Sequence, residues 1–128
     1  KSILVNPNVA LTFHWKSLLR QVRIEGKAKL VSNFEADDYF NSRSNGSKIS
    51  AWASNQSRYL KNRKEIIKNA DKFKKKFRNS IIPRPNYWSG YRVKPIIIEF
   101  WQDMPFRLHD RLEYKKKEGS WMVNRLNP

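Results

Sequence analysis

The sequence contains no cysteine, which excludes disulfides, thiolate metal ligands and a cysteine nucleophile. The same absence leaves the redox compartment open. Two histidines, His14 and His109, are too few without thiols to argue for a zinc centre. His14 sits in an alternating strand pattern and reads as a packed or rim residue. The four glycines stand singly at 26, 46, 90 and 119, so there is no GxGxxG turn and no P-loop. No apolar run approaches the roughly 18 residues that span a bilayer, and the longest, such as Ile96-Ile97-Ile98, are strand-sized. Internal repeats and low-complexity stretches are also missing. The chain opens at Lys1 with nothing resembling a signal peptide, and a trimmed or partial chain is the expectation.

Acidic residues are scarce. Against 27 Lys+Arg stand 11 Asp+Glu, for a formal net charge of +16 in 128 residues. That length suits one domain able to bury about two-thirds of its unfolded surface. The 39% apolar and 13% aromatic content is too rich for a disordered polycation. The charge asks for an anionic partner without naming it. It is concentrated: Arg58 to Arg78 holds ten Lys/Arg against Glu65 and Asp71. Asn62 with Glu65 is a capping signal, and Ile66, Ile67, Ala70, Phe73 and Phe77 recur at helical spacing. One reading is a basic helix on nucleic acid or an anionic membrane. The weightier one is a solvated helix whose apolar stripe docks on a core.

Ala10–Trp15 is short and rich in strand formers. Arg20–Val31 alternates in its first half, with Val22 and Ile24 on one face and Gln21, Arg23 and Glu25 on the other. Gly26 allows a bulge or a close approach. Ser32 and Glu35 form a capping box for a helix from Asn33 to about Ser42, which puts Tyr39 and Arg43 on one face. A Ser44–Gly46 turn follows, then a second short helix over Lys48–Ala53 capped by Ser47. Pro83-Arg84-Pro85 ends the helical half. Strands are expected at Tyr91–Lys94, Ile96–Trp101, Arg111–Lys116 and Trp121–Arg125, with a hairpin turn at Lys117-Glu118-Gly119 and a polar loop over Gln102–Asp110. Strands, then helices, then strands argue for an α+β fold with an antiparallel sheet or barrel.

The candidate chemistry lies in arginines outside the basic helix: Arg20, Arg23, Arg43, Arg107 and Arg111. Each offers a planar fork for phosphate or carboxylate, and they are interleaved with Gln, Ser, Tyr and Trp. Such a mixture suits a phosphorylated aromatic ligand. The competing reading of such arginines is as surface ion-pair partners.

Several blocks then occur in order: RQVRIEG at Arg20–Gly26, YFNSR at Tyr39–Arg43 with Ser47 and Ile49, AWASNQS at Ala51–Ser57, PRPNYWSGYRVKP at Pro83–Pro95, EFWQ at Glu99–Gln102, RLHDRL at Arg107–Leu112, and RLNP at the end. This succession resembles the pyridoxine (pyridoxamine) 5'-phosphate oxidase family over nearly the whole chain. The resemblance implies an FMN-binding split β-barrel, antiparallel and Greek-key-like with flanking helices, as a single partial domain over 1–128 lacking its first strands. The helical segment would cover about 33–78 and the C-terminal strands about 91–126. It implies a cytoplasmic homodimer with FMN at the interface. The implied activity oxidises pyridoxine 5'-phosphate or pyridoxamine 5'-phosphate to pyridoxal 5'-phosphate, with O2 reduced to H2O2. A flavin- or pyridoxal-phosphate-binding split barrel without catalysis is the alternative.

By the same resemblance, Gln21, Arg23, Gln56, Ser57, Trp101 and Arg111 contact the flavin. Tyr39, Arg43 and Ser47 hold the substrate phosphate. Arg107 and His109 close over the substrate, Arg107 positioning the ring and His109 hydrogen bonding. The expected anions are therefore small phosphates, not a nucleic-acid backbone or a membrane. The chain departs from the family where a glycine after Trp-Gln is Asp103, where Ser44 replaces a proline, and where Ser89-Gly90 replaces Gly-Gly. By the resemblance, the family's upstream Arg-Lys pair and substrate-contacting Lys would be expected ahead of Lys1.

Overall fold

The computed structural model describes residues 2–128. It divides into two compact units, each with its own logic: residues up to Leu30 together with Tyr91–Pro128, and Val31–Gly90.

The first unit is a five-stranded antiparallel sheet in sequential order: β1 (Asn8–Trp15), β2 (Arg20–Leu30), β3 (Tyr91–Gln102), β4 (Asp110–Lys117) and β5 (Ser120–Arg125), preceded by the short helix α1 (Ser2–Val5). The sequential order is a meander, so the Greek-key expectation is corrected for these five strands, while the antiparallel α+β architecture stands. Gly26 marks a real bulge. The β2–β3 register runs Glu25 to Ile97 and then Gly26 to Pro95, which leaves Ile96 unopposed. This bulge also explains why one strand passes through Pro95 where the sequence suggests two. A proline without an N–H is tolerated in a central strand where the ladder is already interrupted. The β4–β5 hairpin closes on two residues, Glu118 and Gly119, with φ of 49° and 88°. Positive φ at both central residues is the turn whose twist matches the strands it joins.

Alternation gives this sheet two unlike faces. Leu11, Phe13, Val22, Ile24, Ile98, Phe100, Leu112 and Tyr114 are register partners on one of them. This apolar face stays half exposed, with Phe13 and Phe100 each at 45%. The other face carries His14, Gln21, Arg23, Glu99, Trp101 and Arg111.

The second unit holds three helices. In α2 (Asn33–Ser42) the Ser32 side chain accepts from the Glu35 amide, as the capping box requires. In α3 (Asn45–Ala53) the cap is Ser44, not Ser47. Ser44 has an extended backbone and accepts from the Ser47 amide, so the expected Ser-Asn-Gly turn becomes the first helical turn. In α4 (Arg63–Lys76) Asn62 caps the Glu65 amide. Buried Ala36, Phe40, Ala53, Ile82 and Pro85 form the core. Arg84 ties the Pro83–Pro85 segment down. It donates to Asp37 at 2.6 Å, to the Trp88 carbonyl at 2.6 Å and to Asn33 at 3.1 Å.

The apolar stripe of α4 docks inside this unit. Trp52 of α3 packs on Phe73 and Phe77, with ring centroids 5.6 and 5.5 Å away. On the opposite face Lys64, Lys68, Lys72 and Lys75 stand one above the other, all exposed. Stacked like charges oppose the helix, so added salt should stabilise this protein. Melting curves in dilute buffer and in about 0.5 M salt check this, and an unchanged midpoint would contradict it. Among the described residues no helix is long and apolar enough to cross a membrane.

Candidate functional site

In the sheet unit the polar face is organised by an acid. Glu99 is 7% exposed in the middle of β3 and accepts from two arginines on neighbouring strands. Arg111 Nε donates at 2.8 Å and Arg23 Nη2 at 3.4 Å. Arg23 also reaches Glu25 at 3.2 Å, and Arg111 Nη1 donates to the Asn127 carbonyl at 2.9 Å. The Arg111 hydrogen bond, with the charge of both guanidiniums, holds the Glu99 carboxyl below its ordinary range against the opposing effect of burial. The same bond raises Arg111. Two cations thus share one buried anion on this face. Gln21 and Trp101 are cross-strand partners one step further along, with Arg111 opposite Trp101 on β4. Four of the six expected flavin contacts therefore share one surface.

Arg107 and His109 lie in the β3–β4 connection, where Pro105–Arg107 forms a single 3-10 turn. Phe106 and Arg107 have φ of 59° and 63°. Consecutive non-glycine residues in the left-handed region are held there by their surroundings at a cost of about 1 kcal/mol or more each. Arg107 has no ion-pair partner among the described residues. His109 packs against Trp101, with ring centroids 4.8 Å apart.

The remaining expected residues belong to the helical unit. Tyr39 and Arg43 meet on one indole: the Tyr39 ring stacks on Trp88 at 6.0 Å, and the Arg43 guanidinium lies over it at 5.2 Å. Arg43 Nη1 is buried and has no hydrogen-bond partner among the described residues. A buried guanidinium N–H without an acceptor is costly, so this atom fits an anion. Arg43 also lines a cleft of about 790 Å³ with Ser50, Asn55, Gln56, Arg58 and Trp88. Tyr39, Ser47 and Ser57 are not among its lining residues. Ser47 lies in the first turn of α3, its hydroxyl accepting from Ser44, and Ser57 has a left-handed backbone at φ 62°.

Sequence reasoning left three residues without a role. Glu99 is the acid in Ile96–Trp101, and an isolated carboxylate in an apolar strand is the signal that it needs cationic partners. Trp88 and Arg84 lie in the proline-rich segment, where no periodicity reports contacts.

Comparison with known proteins decides the family. Residues 1–77 match the family model described as pyridoxamine 5'-phosphate oxidase, and residues 88–128 match that of the pyridoxine 5'-phosphate oxidase C-terminal dimerisation region. The chain belongs to the pyridoxine/pyridoxamine 5'-phosphate oxidase family. It is 52% identical over 126 residues to the pyridoxine/pyridoxamine 5'-phosphate oxidase of Rhodospirillum rubrum, covering 98% of this chain and 63% of that one. It is 48% identical over 130 residues to the enzyme of the same name from Rhizobium meliloti, covering 100% and 63%. The chain thus spans about three-fifths of the length of these relatives. Among solved structures, PhzG from Burkholderia lata 383, in complex with tetrahydrophenazine-1-carboxylic acid, superimposes with a TM-score of 0.88 at 28% identity, covering 96% of this chain and 60% of that one. An FMN-binding protein of Nostoc punctiforme, related to pyridoxamine 5'-phosphate oxidase, shares the fold with a TM-score of 0.72 at 13% identity, covering 98% and 66%. The antiparallel sheet is thus that of the oxidase-like, FMN-binding split barrels.

Proposed function

We propose that this chain is part of an FMN-dependent oxidase that converts pyridoxine 5'-phosphate or pyridoxamine 5'-phosphate to pyridoxal 5'-phosphate, reducing O2 to H2O2. What carries this reading is identity of about half, over nearly the whole chain, to relatives that bear that name. It is supported by a sheet face that suits a phosphorylated planar ring: cations at Arg23 and Arg111, an amide at Gln21 and an indole at Trp101. When bound, FMN would supply the two-electron oxidation, which no side chain here can perform. Gln21, Arg23, Trp101 and Arg111, with Gln56 and Ser57, would hold it. Tyr39, Arg43 and Ser47 would take the substrate phosphate, a role favoured by the unpaired Arg43 Nη1. Arg107 and His109 would orient the pyridine ring. A cytoplasmic homodimer of partial split-barrel domains completes the proposal, supported by the match of residues 88–128 to a dimerisation region.

The purified chain should carry a flavin absorption spectrum and release peroxide on addition of pyridoxamine 5'-phosphate. Bound flavin without turnover at saturating substrate would leave a flavin-binding split barrel and remove the oxidase. Roles separate by substitution. Arg107→Ala should lower kcat/KM by about 100-fold with flavin retained. Arg23→Ala or Arg111→Ala should first raise the flavin Kd, by about 10-fold. Equal effects of all three on both readouts would refute the assignment.

A further inference from the structure

Trp88 is tied to both ends of one helix. Near the start of α2, Asn33 and Asp37 accept from Arg84, and Arg84 Nη1 donates to the Trp88 carbonyl at 2.6 Å. The Trp88 amide donates to the Pro85 carbonyl at 2.9 Å, so its backbone is held on both sides. At the far end of α2 its ring meets Tyr39, Phe40 and Arg43. Phe40, fully buried, makes a T-shaped contact with the indole, centroids 5.1 Å apart. Tyr39 is 64% exposed, and its ring stacks on the same indole with the planes 20° apart.

Arg23 and Arg111 share Glu99, whereas Arg43 pairs with no acid among the described residues. Its guanidinium carbon stands 5.2 Å from the Trp88 ring centroid and 5.9 Å from that of Phe40. The face of an aromatic ring attracts a cation through its quadrupole and leaves the positive charge unneutralised. A carboxylate in the same place would compete with a phosphate for the guanidinium fork. An indole orients the cation without taking that fork.

We infer that Trp88 is a positioning residue for Arg43: its ring face holds the guanidinium at the end of α2, with Tyr39 stacked beside it, so that a phosphate monoester meets a cation already oriented. This rests on the proposed function, in which Tyr39 and Arg43 take the substrate phosphate. Because the indole acts through Arg43, its effect falls on phosphorylated ligands. The phosphate is gripped alike in the ground state and the transition state, so the effect appears in KM and not in kcat.

Two variants of the intact chain separate the ring face from its bulk. Trp88→Leu keeps apolar volume without the quadrupole, and Trp88→Phe keeps an aromatic face. In Trp88→Leu, KM for pyridoxamine 5'-phosphate should rise about 10-fold while kcat changes by less than about 2-fold. Trp88→Phe should stay within about 3-fold of wild type in KM. The Kd for pyridoxal 5'-phosphate should follow KM, and that for unphosphorylated pyridoxal should not move. In an Arg43→Ala background, Trp88→Leu should add less than about 2-fold. Equal losses in the Leu and Phe variants, equal weakening of pyridoxal, or a full further loss without Arg43 would overturn the inference. The Arg43 Nε–H resonance reads the contact without any ligand: the indole ring current should hold it upfield in wild type and release it in Trp88→Leu. Should Trp88→Leu not fold, the wild-type resonance decides, and a position equal to that of a free arginine overturns the inference. If the wild-type chain binds no pyridoxal 5'-phosphate and releases no peroxide, the oxidase reading fails, and the resonance alone decides whether Trp88 orients Arg43.

Discussion

A Gly26→Ala protein is expected to lose about 3 kcal/mol of stability, or roughly 10 °C in melting temperature for a domain of this size. A Cβ at position 26 would stand 2.3 Å from the Lys94 carbonyl oxygen, 2.9 Å from its carbon and 3.1 Å from the Pro95 Cα. All three are backbone atoms of the adjacent strand, so no side chain can swing away. Relief requires β2 and β3 to part at the bulge, which takes the neighbouring ladder bonds with it. Gly46 is the control. It lies in the first turn of α3, where an added methyl would meet nothing within 4 Å, so Gly46→Ala should be neutral or stabilise by a few tenths of a kcal/mol. Chemical denaturation of the two variants checks both. Equal stabilities would mean that the bulge can open freely.

The second large effect belongs to Glu99. Glu99→Gln keeps the shape and removes the one anion shared by Arg23 and Arg111. Breaking a buried pair by removing one partner costs the other its counter-charge; here Arg23 is left with Glu25 and Arg111 with the Asn127 carbonyl. Because Arg23 is nearly half exposed, water takes up part of the loss, and about 2 kcal/mol is expected. Under the proposed function flavin affinity should fall as well, since the acid that draws Arg23 and Arg111 together would be gone. The wild-type pH dependence has a definite sign. The Glu99 carboxyl is lower in the folded protein than its ordinary value near 4.5. Its contribution is therefore fully present above that value and drains away as pH falls through the lower folded value. Acid titration of stability should show a shallower fall below about pH 4.5 in Glu99→Gln than in wild type. Parallel curves would place the acid sensitivity elsewhere.

These two residues show which parts were legible in advance. Helix starts at Asn33 and Arg63 follow from Ser32 with Glu35 and from Asn62 with Glu65, pairs three residues apart whose bonds are local. Gly26 is equally visible as a break in an alternating strand. Ser44 and Ser47 are both competent caps, and composition alone does not choose between them. The Glu99 cluster depends on register, joining residues 76 and 12 positions apart, so it exists only once β2, β3 and β4 are aligned. The partners of Arg43 are hidden for the same reason, because Trp88 lies beyond α4 in a segment without periodicity. Of the candidate site, the sheet-face residues share one surface by simple alternation. Arg107 and His109 needed the connection's backbone, whose left-handed pair no sequence pattern announces.

The placement of residues 31–90 also bears on the order of folding. Leu30 and Tyr91 are register partners, and the amide of Val31 donates to the Gly90 carbonyl at 3.0 Å. In topological terms β2 and β3 are a hairpin whose loop is a whole helical unit of about sixty residues. Closing a flexible loop of that length costs about 3 kcal/mol more than closing a two-residue turn. If the helices form first, the loop is no longer sixty free residues but a compact body whose two ends already meet. The β4–β5 hairpin needs no such help, because its turn is two residues long. Stopped-flow measurements should therefore find helical signal ahead of sheet closure, with the C-terminal hairpin as the early exception among the strands.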